Sequence, residues 1–219
     1  MATSPNSVKF YFDPVSPYSW LAARQLERLD AAGAEVDVQP ILFAAVLQAH
    51  GTKGPAEIAS KRAYTMRDVL RIAARLGLPF TGPPTHPFNP LRALRMCIAI
   101  DDAAHRRRFG VALLEAAWER GLDLTDDAVL TELATACELH GETMLSRAND
   151  GAIKQRLVEA TQDAVNAGVF GVPTFAFADE LFWGEDRIDA LLWRMQGHAI
   201  DESLLASVLA RPASAARRG

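Results

Sequence analysis

The chain has 219 residues, 49% of them hydrophobic, and a formal net charge of −4. That is ample apolar material for a sizeable core, and the charge balance excludes a basic nucleic-acid footprint. No span reaches the roughly 18 consecutive apolar residues of a transmembrane helix, and residues 1–7 lack the basic and apolar regions of a secretory signal, so no membrane partner or export is expected.

Residues 8–12 read Val-Lys-Phe-Tyr-Phe, a short aromatic and β-branched run typical of a buried strand. Asp13-Pro14-Val15 breaks it. Ser16-Pro17 then predicts a helix start, with a hydroxyl at the N-cap and proline at the first helical position, where its missing N–H costs nothing. Trp20, Leu21, Ala23, Leu26 and Leu29 space out as one apolar face, and Gly33 closes the helix. Residues 35–41 are a second strand, expected to pair with the first through a helical crossover.

The next hundred residues or so show no convincing strand. Helical patterns occupy 55–76, 91–104, 106–120, 126–140 and 142–149, with a Pro/Gly-rich loop at 81–90. Arg106-Arg107-Arg108 is the densest basic run, and a solvated helix face accounts for it. A further helix is expected at 153–167. Strand character returns at 172–177 and 181–183 across a turn at Asp179-Glu180, and residues 186–195 form a last core helix capped by Asp186. The order is β-α-β, a helical insertion, then α-β-β-α. This is an α/β thioredoxin fold with a large all-helical domain inserted after the first βαβ unit. The expected boundaries are 7–42 and 151–200 for the thioredoxin-like domain and 43–150 for the insertion, with a disordered tail at 211–219. Cys97 and Cys137 both fall in helical patterns; they imply no disulfide framework and fit a reducing cytoplasm.

Three features point to chemistry. Ser16-Pro17-Tyr18-Ser19 opens the first helix, where exposed N–H groups favour an anion, although a plain helix cap also explains it. Gly171-Val172-Pro173-Thr174 begins a strand with a proline, which a simple strand entry also permits. In Phe182-Trp183-Gly184-Glu185-Asp186-Arg187, a cation in the first helical turn is unhelpful to the dipole and suggests another use, against the alternative of a capping aspartate beside a surface arginine. His50, His86, His105, His140 and His198 are scattered, without a nucleophile-elbow pattern for a serine hydrolase, and no cluster has metal-ligand spacing.

Phe12-Asp13-Pro14-Val15-Ser16-Pro17-Tyr18-Ser19-Trp20-Leu21 resembles the opening motif of 2-hydroxychromene-2-carboxylate isomerases and the related kappa-class glutathione transferases. The two C-terminal motifs match theirs as well. Lys61 with Tyr64 and Asp68 is similar to the family's first inserted helix, and Asn89 with Arg92 and Arg95 to its next. The likeness spans about residues 8–195. It departs at residues 48–57, where Gly51-Thr52-Lys53-Gly54 replaces an asparagine-bearing loop.

The resemblance implies glutathione as cofactor, a small aromatic carboxylate as substrate, and a homodimer. It further implies that Ser16 is catalytic, hydrogen-bonding the glutathione sulfur as thiolate. Val172, before the cis Pro173, would pair its backbone with the cysteinyl unit. Asp186, with Arg187 and Trp183, would take the γ-glutamyl end, and Lys61 the glycine carboxylate or the substrate. Asn89 and Arg92, and Arg95 beside them, are implied substrate contacts; Phe43, Met96 and Trp118 are candidates to shape an apolar pocket. Redox chemistry would need Cys-x-x-Cys, and Ser16-x-x-Ser19 cannot form a disulfide, so any reactive sulfur arrives with the cofactor. The expected activity is glutathione-dependent isomerisation of 2-hydroxychromene-2-carboxylate or a similar aromatic-catabolic intermediate. The rivals are a kappa-like transferase or peroxidase and a non-catalytic thioredoxin-fold binding protein.

Overall fold

The structure is a computed structural model, described over residues 6–212. Of the tail expected at 211–219, only residues 211 and 212 fall within this range; the rest lies outside the described residues.

Strand β1 (Ser7–Phe12) lies between β2 (Glu35–Pro40), parallel to it, and β3 (Thr174–Phe177), antiparallel; β4 (Glu180–Trp183) closes the sheet on the far side of β3. The sheet order β2-β1-β3-β4 is the thioredoxin arrangement expected from the sequence. Phe10 carries the centre of this sheet, stacking on Phe12 and Phe175 at ring separations of 5.9 and 5.0 Å.

The first helical region is two helices rather than one, α1 (Pro17–Ala23) and α2 (Leu26–Ala31). The Gln25 amide bonds Ala22 O instead of Leu21 O, while the Gln25 side chain takes Leu21 O at 3.2 Å. A side chain has replaced one rung of the backbone ladder, so the apolar spacing continues across a break. A short helix not anticipated from the sequence, α3 (Phe43–Ala49), follows β2. Next come a 3-10 turn (Pro55–Glu57) and α4 (Ala59–Leu76), which ends on left-handed Gly77.

Beyond the loop lie α5 (Leu91–Ile98), α6 (Ala103–Trp118), α7 (Asp127–Ala136), α8 (Gly141–Arg147) and α9 (Gly151–Asn166). The helix expected over 91–104 stops early because Asp102 caps α6, accepting from the His105 amide at 2.8 Å. The Arg106-Arg107-Arg108 run fastens α6 to its neighbours and is more than a solvated face. Arg106 bonds Asp37 at 2.7 Å and the Val38 carbonyl at 3.1 Å, Arg107 forks onto Asp30 at 2.8 and 2.6 Å, and Arg108 reaches Glu138 at 2.5 Å. Most buried residues of the sheet and of these helices form one large apolar cluster, including Trp20, Leu94, Phe109, Leu113 and Trp118, and Tyr11, Val46, Ala164 and Val172 belong to a second, smaller one.

The hairpin turn sits one residue earlier than the sequence suggested: Ala178 and Asp179 both adopt positive φ, 48° and 65°, and Glu180 already belongs to β4. Asp186 does not cap the last core helix. A 3-10 turn (Glu185–Arg187) precedes α10 (Ile188–Met195), and Asp186 pairs with Arg187 instead. A final helix, α11 (Glu202–Leu209), is exposed along its length. Among the described residues no helix is long and apolar enough to cross a membrane.

The loop from β1 to α1 is held by polar contacts from three distant elements. The fully buried Asp13 carboxylate accepts from the amides of Val15 and of Phe43, at the start of α3, both at 2.9 Å. The Trp118 indole of α6 donates to the Pro14 carbonyl at 3.0 Å, and His86 Nε2 meets the Val15 carbonyl at 3.1 Å. Burial pushes the Asp13 carboxyl up to about 7, and its two backbone hydrogen bonds oppose that rise.

Two predictions follow from the packing. Asp13 titrates near 3.8 when solvated and near 7 when folded, so folding takes up a proton between these values. Its contribution to stability is therefore full below pH 3.8 and is lost as pH rises to about 7. Urea unfolding of Asp13→Asn and the parent from pH 4 to 8 should show the parent losing up to about 4 kcal/mol relative to the variant over that window, at about 1.4 kcal/mol per pH unit. Parallel curves would reject it. Cys97 and Cys137 are both buried and free, and burial pushes both thiols up, Cys97 to about 12. Native-state thiol labelling should therefore be slow at both and become fast only on unfolding; rapid modification of either contradicts this packing.

Candidate active site

The anchored loop delivers Ser16 to the floor of a cavity of about 1250 Å3. Its floor is the β1–α1 loop and the Val172–Pro173 peptide, which is cis. One wall is α3 and the 50–57 loop, another is α4, and Trp183 to Arg187 form the rim opposite.

Ser16 is the N-cap of α1 and is buried. Its Oγ accepts from the Ser19 amide at 3.3 Å and donates to the Val172 carbonyl at 3.4 Å. Both contacts are long, so the hydroxyl is lightly committed. No histidine contacts it: His86 is turned to the Val15 carbonyl and His50 to the Val169 carbonyl at 3.0 Å. Ser16 therefore lacks the general base that a hydrolytic nucleophile needs. The His86 contact to a carbonyl places the proton on Nε2; burial lowers its pKa and keeps the ring neutral. Ser19, one turn beyond Ser16, is fully buried, and its hydroxyl has no partner among the described residues.

Val172 makes no hydrogen bond through its amide among the described residues, and its carbonyl holds only the weak Ser16 contact. A backbone donor and acceptor are thus presented together at the cavity floor. Trp183 is 53% exposed and packs edge-on against Phe170 at 4.9 Å. It can lie across this peptide because residue 171 is glycine: a Cβ there would stand 2.5 Å from the indole nitrogen. Gly184, at φ 120°, is required for a similar reason, since a Cβ would meet the Asp186 carboxylate at 2.4 Å.

The structure brings Ser16, Lys61, Val172, Pro173, Trp183, Asp186 and Arg187 to this one cavity. It does not bring Asn89 or Arg92. The Asn89 side chain accepts from the Leu91 amide at 3.1 Å, at the start of α5, and Arg92 is paired with Asp127 at the start of α7. Arg95, on the next turn of α5, lines a separate pocket. Of the apolar candidates, Phe43 lines the cavity, whereas Met96 and Trp118 are fully buried core.

Several lining groups were not anticipated. Tyr18 donates to Asp68 at 2.9 Å, and burial together with that carboxylate raises its phenol pKa further. Gln25 holds Glu185 at 3.2 Å, and burial raises the Glu185 carboxyl. Tyr18 and Asp68 were visible as parts of motifs, but their pairing across α1 and α4 had no local signal. The cavity also carries charge of both signs. Lys53, Lys61, Arg62 and Arg75 line it without an ion pair among the described residues, while Asp68, Glu185 and Asp186 supply carboxylates. Such a site suits a ligand carrying both signs of charge. Among the described residues no cluster of His, Cys, Asp or Glu could hold a metal ion.

Residues 7–196 match the model of the DSBA-like thioredoxin domain. The chain is 31% identical over 190 residues to a 2-hydroxychromene-2-carboxylate isomerase of Pseudomonas putida, covering 83% of this chain and 90% of that protein. It is 26% identical over 207 residues to glutathione S-transferase kappa 1 of Homo sapiens, covering 87% of this chain and 91% of that one. Among solved structures, a 2-hydroxychromene-2-carboxylate isomerase superposes with a TM-score of 0.81 at 25% identity, covering 94% of this chain and all of the other. With the thioredoxin sheet order and the Ser16–Val172 juxtaposition in place, these matches show that the chain belongs to the 2-hydroxychromene-2-carboxylate isomerase family of DSBA-like thioredoxin proteins.

Proposed function

We propose that this protein is a glutathione-dependent isomerase acting on 2-hydroxychromene-2-carboxylate or a similar aromatic-catabolic carboxylate. The observation that carries the proposal is the lightly committed Ser16 hydroxyl beside the open Val172 backbone, at the floor of a cavity lined by both signs of charge. Relatives named as isomerases and as kappa-class transferases support glutathione as the cofactor. At about 1250 Å3 the cavity exceeds the usual range for one small ligand, which suits a tripeptide and a substrate side by side.

Glutathione, when bound, would supply a thiolate for reversible covalent catalysis: its addition to a conjugated carbon would send the π pair to the carbonyl oxygen and leave a single bond free to rotate, and its elimination would return that pair and free the thiolate. The residues of the chain prepare this. The Ser16 hydroxyl turns from the Val172 carbonyl toward the sulfur and holds it ionised, donating without being consumed. A free thiol, with a pKa of about 8.5, is only a few per cent ionised at pH 7, so this hydrogen bond raises the reactive fraction. Val172 offers its N–H and C=O to the cysteinyl unit. Asp186, with Arg187 and Trp183, binds the γ-glutamyl end, and Asp68 and Glu185 add negative charge nearby. Lys61 takes the glycine carboxylate or the substrate carboxylate. Tyr11 is buried in one apolar cluster with Val172 of the floor. The working form is taken to be a homodimer in the cytoplasm, where reduced glutathione is at hand; two buried free cysteines accord with a reducing compartment.

The deciding experiment is an isomerase assay with 2-hydroxychromene-2-carboxylate, run with and without glutathione. Turnover should appear only with glutathione. Turnover without it, or turnover confined to halogenated aromatic acceptors, would replace this reading, the latter by a kappa-like transferase.

Ser16→Ala should lower turnover by about tenfold to a hundredfold, since one charge-assisted hydrogen bond is worth about 1.5–3 kcal/mol. Glutathione affinity, measured by calorimetry, should stay within about tenfold because Val172 and Asp186 are retained. Parental rates in Ser16→Ala would remove the serine from the mechanism.

A further inference from the structure

Behind α3 lies a second pocket of about 150 Å3, bounded by α3, α5 and α9. That is room for roughly five waters, or for one ring-sized body. Its α9 wall is a regular stripe from Lys154 through Leu157, Val158 and Thr161 to Val165. On the α3 side Ala45 and Ala49 contribute so little volume that a recess remains.

The polar groups here are unusual. Arg95 and Lys154 both line the pocket, and no acidic residue does. Neither cation has an ion pair or a side-chain hydrogen bond among the described residues; Lys154 is exposed to solvent, but Arg95 is half-buried and its Nε is buried without a partner. A buried donor on a charged group is costly to leave unmade, so its presence beside an open recess calls for an acceptor. The Thr161 hydroxyl, which donates to the Leu157 carbonyl at 2.7 Å and accepts from the Leu42 amide at 3.1 Å, makes no hydrogen bond to Arg95 Nε.

From the unpaired Arg95 and Lys154 over an apolar recess we infer a second binding site, for a small monocarboxylate whose apolar body is no larger than one aromatic ring. The carboxylate takes Arg95 and Lys154, and the ring rests on Leu91, Leu157 and Val158. This site does not depend on the proposed reaction. It does share a wall with the main cavity: Phe43, Ala44 and Leu47 of α3 face the cavity, and Ala45 and Ala49 face the pocket. An occupant therefore packs against the back of the helix that shapes the reaction site.

Titration of the full chain with benzoate, followed by NMR, tests this. The Val158 and Leu91 methyl signals and the Gln162 side-chain amide report the pocket, and the Trp183 indole reports the main cavity. Benzoate should shift the first set saturably. Benzamide, of the same shape but uncharged, and acetate, charged but without a ring, should each bind about tenfold more weakly or worse. Arg95→Met should weaken benzoate about tenfold, and Lys154→Met about threefold. Should Arg95→Met unfold, Lys154→Met and the benzamide comparison decide alone. Shifts confined to Trp183, equal binding of benzamide, or no saturation (water alone filling the recess) would each overturn the proposal.

Discussion

The buried polar fastening of residues 13–16 is the constraint on which the rest of the molecule depends. A chain leaving the central strand must break regular structure to present Ser16, and its carbonyls then need partners that no ladder provides. Trp118 serves Pro14, His86 serves Val15, and Asp13 binds the amides of Val15 and Phe43. The partners come from the helical part of the chain, so the inserted helices are part of the scaffold of the site as well as its walls. The large apolar cluster running through sheet and helices says the same in packing terms.

Much of this was legible in the sequence because it is local. The aromatic run at 8–12, the Ser16-Pro17 start and the glycine stops each announce an element through chemistry within a few residues. Errors arose where a distant or competing partner decides the outcome. Gln25 breaks a helix by capturing Leu21 O, and nothing in the apolar spacing reveals that. Asp186 looked like a helix cap but is engaged by Arg187, and a 3-10 turn fills the gap. On α5, periodicity could group Arg92 and Arg95 but could not say that Asp127 takes one while the other faces a different recess. The candidate site itself was readable as three separate motifs. Their meeting in one cavity, and the roles of His86, Asp13 and Tyr18 around it, depend on tertiary placement.

The electrostatics of the cavity fit a division of labour between backbone and side chains. The floor presents the Val172 amide and carbonyl side by side, a pairing that is independent of any side chain. The walls and rim carry unpaired cations and carboxylates together, which suits a ligand with both signs of charge. Serine rather than cysteine stands at the helix start, so the chain itself places no thiol there.

The absence of a side chain at residue 171 has an evolutionary reading. The indole of Trp183 occupies space that any Cβ at 171 would claim, at a separation of 2.5 Å from its nitrogen. The aperture above the floor peptide is thus governed by two positions acting as a pair. A single-step change of Gly171 to alanine or serine would force the ring outward and widen or skew the entrance without touching Ser16. Divergence in substrate size among descendants of this chain therefore has a short genetic route that leaves the chemistry of the floor unaltered.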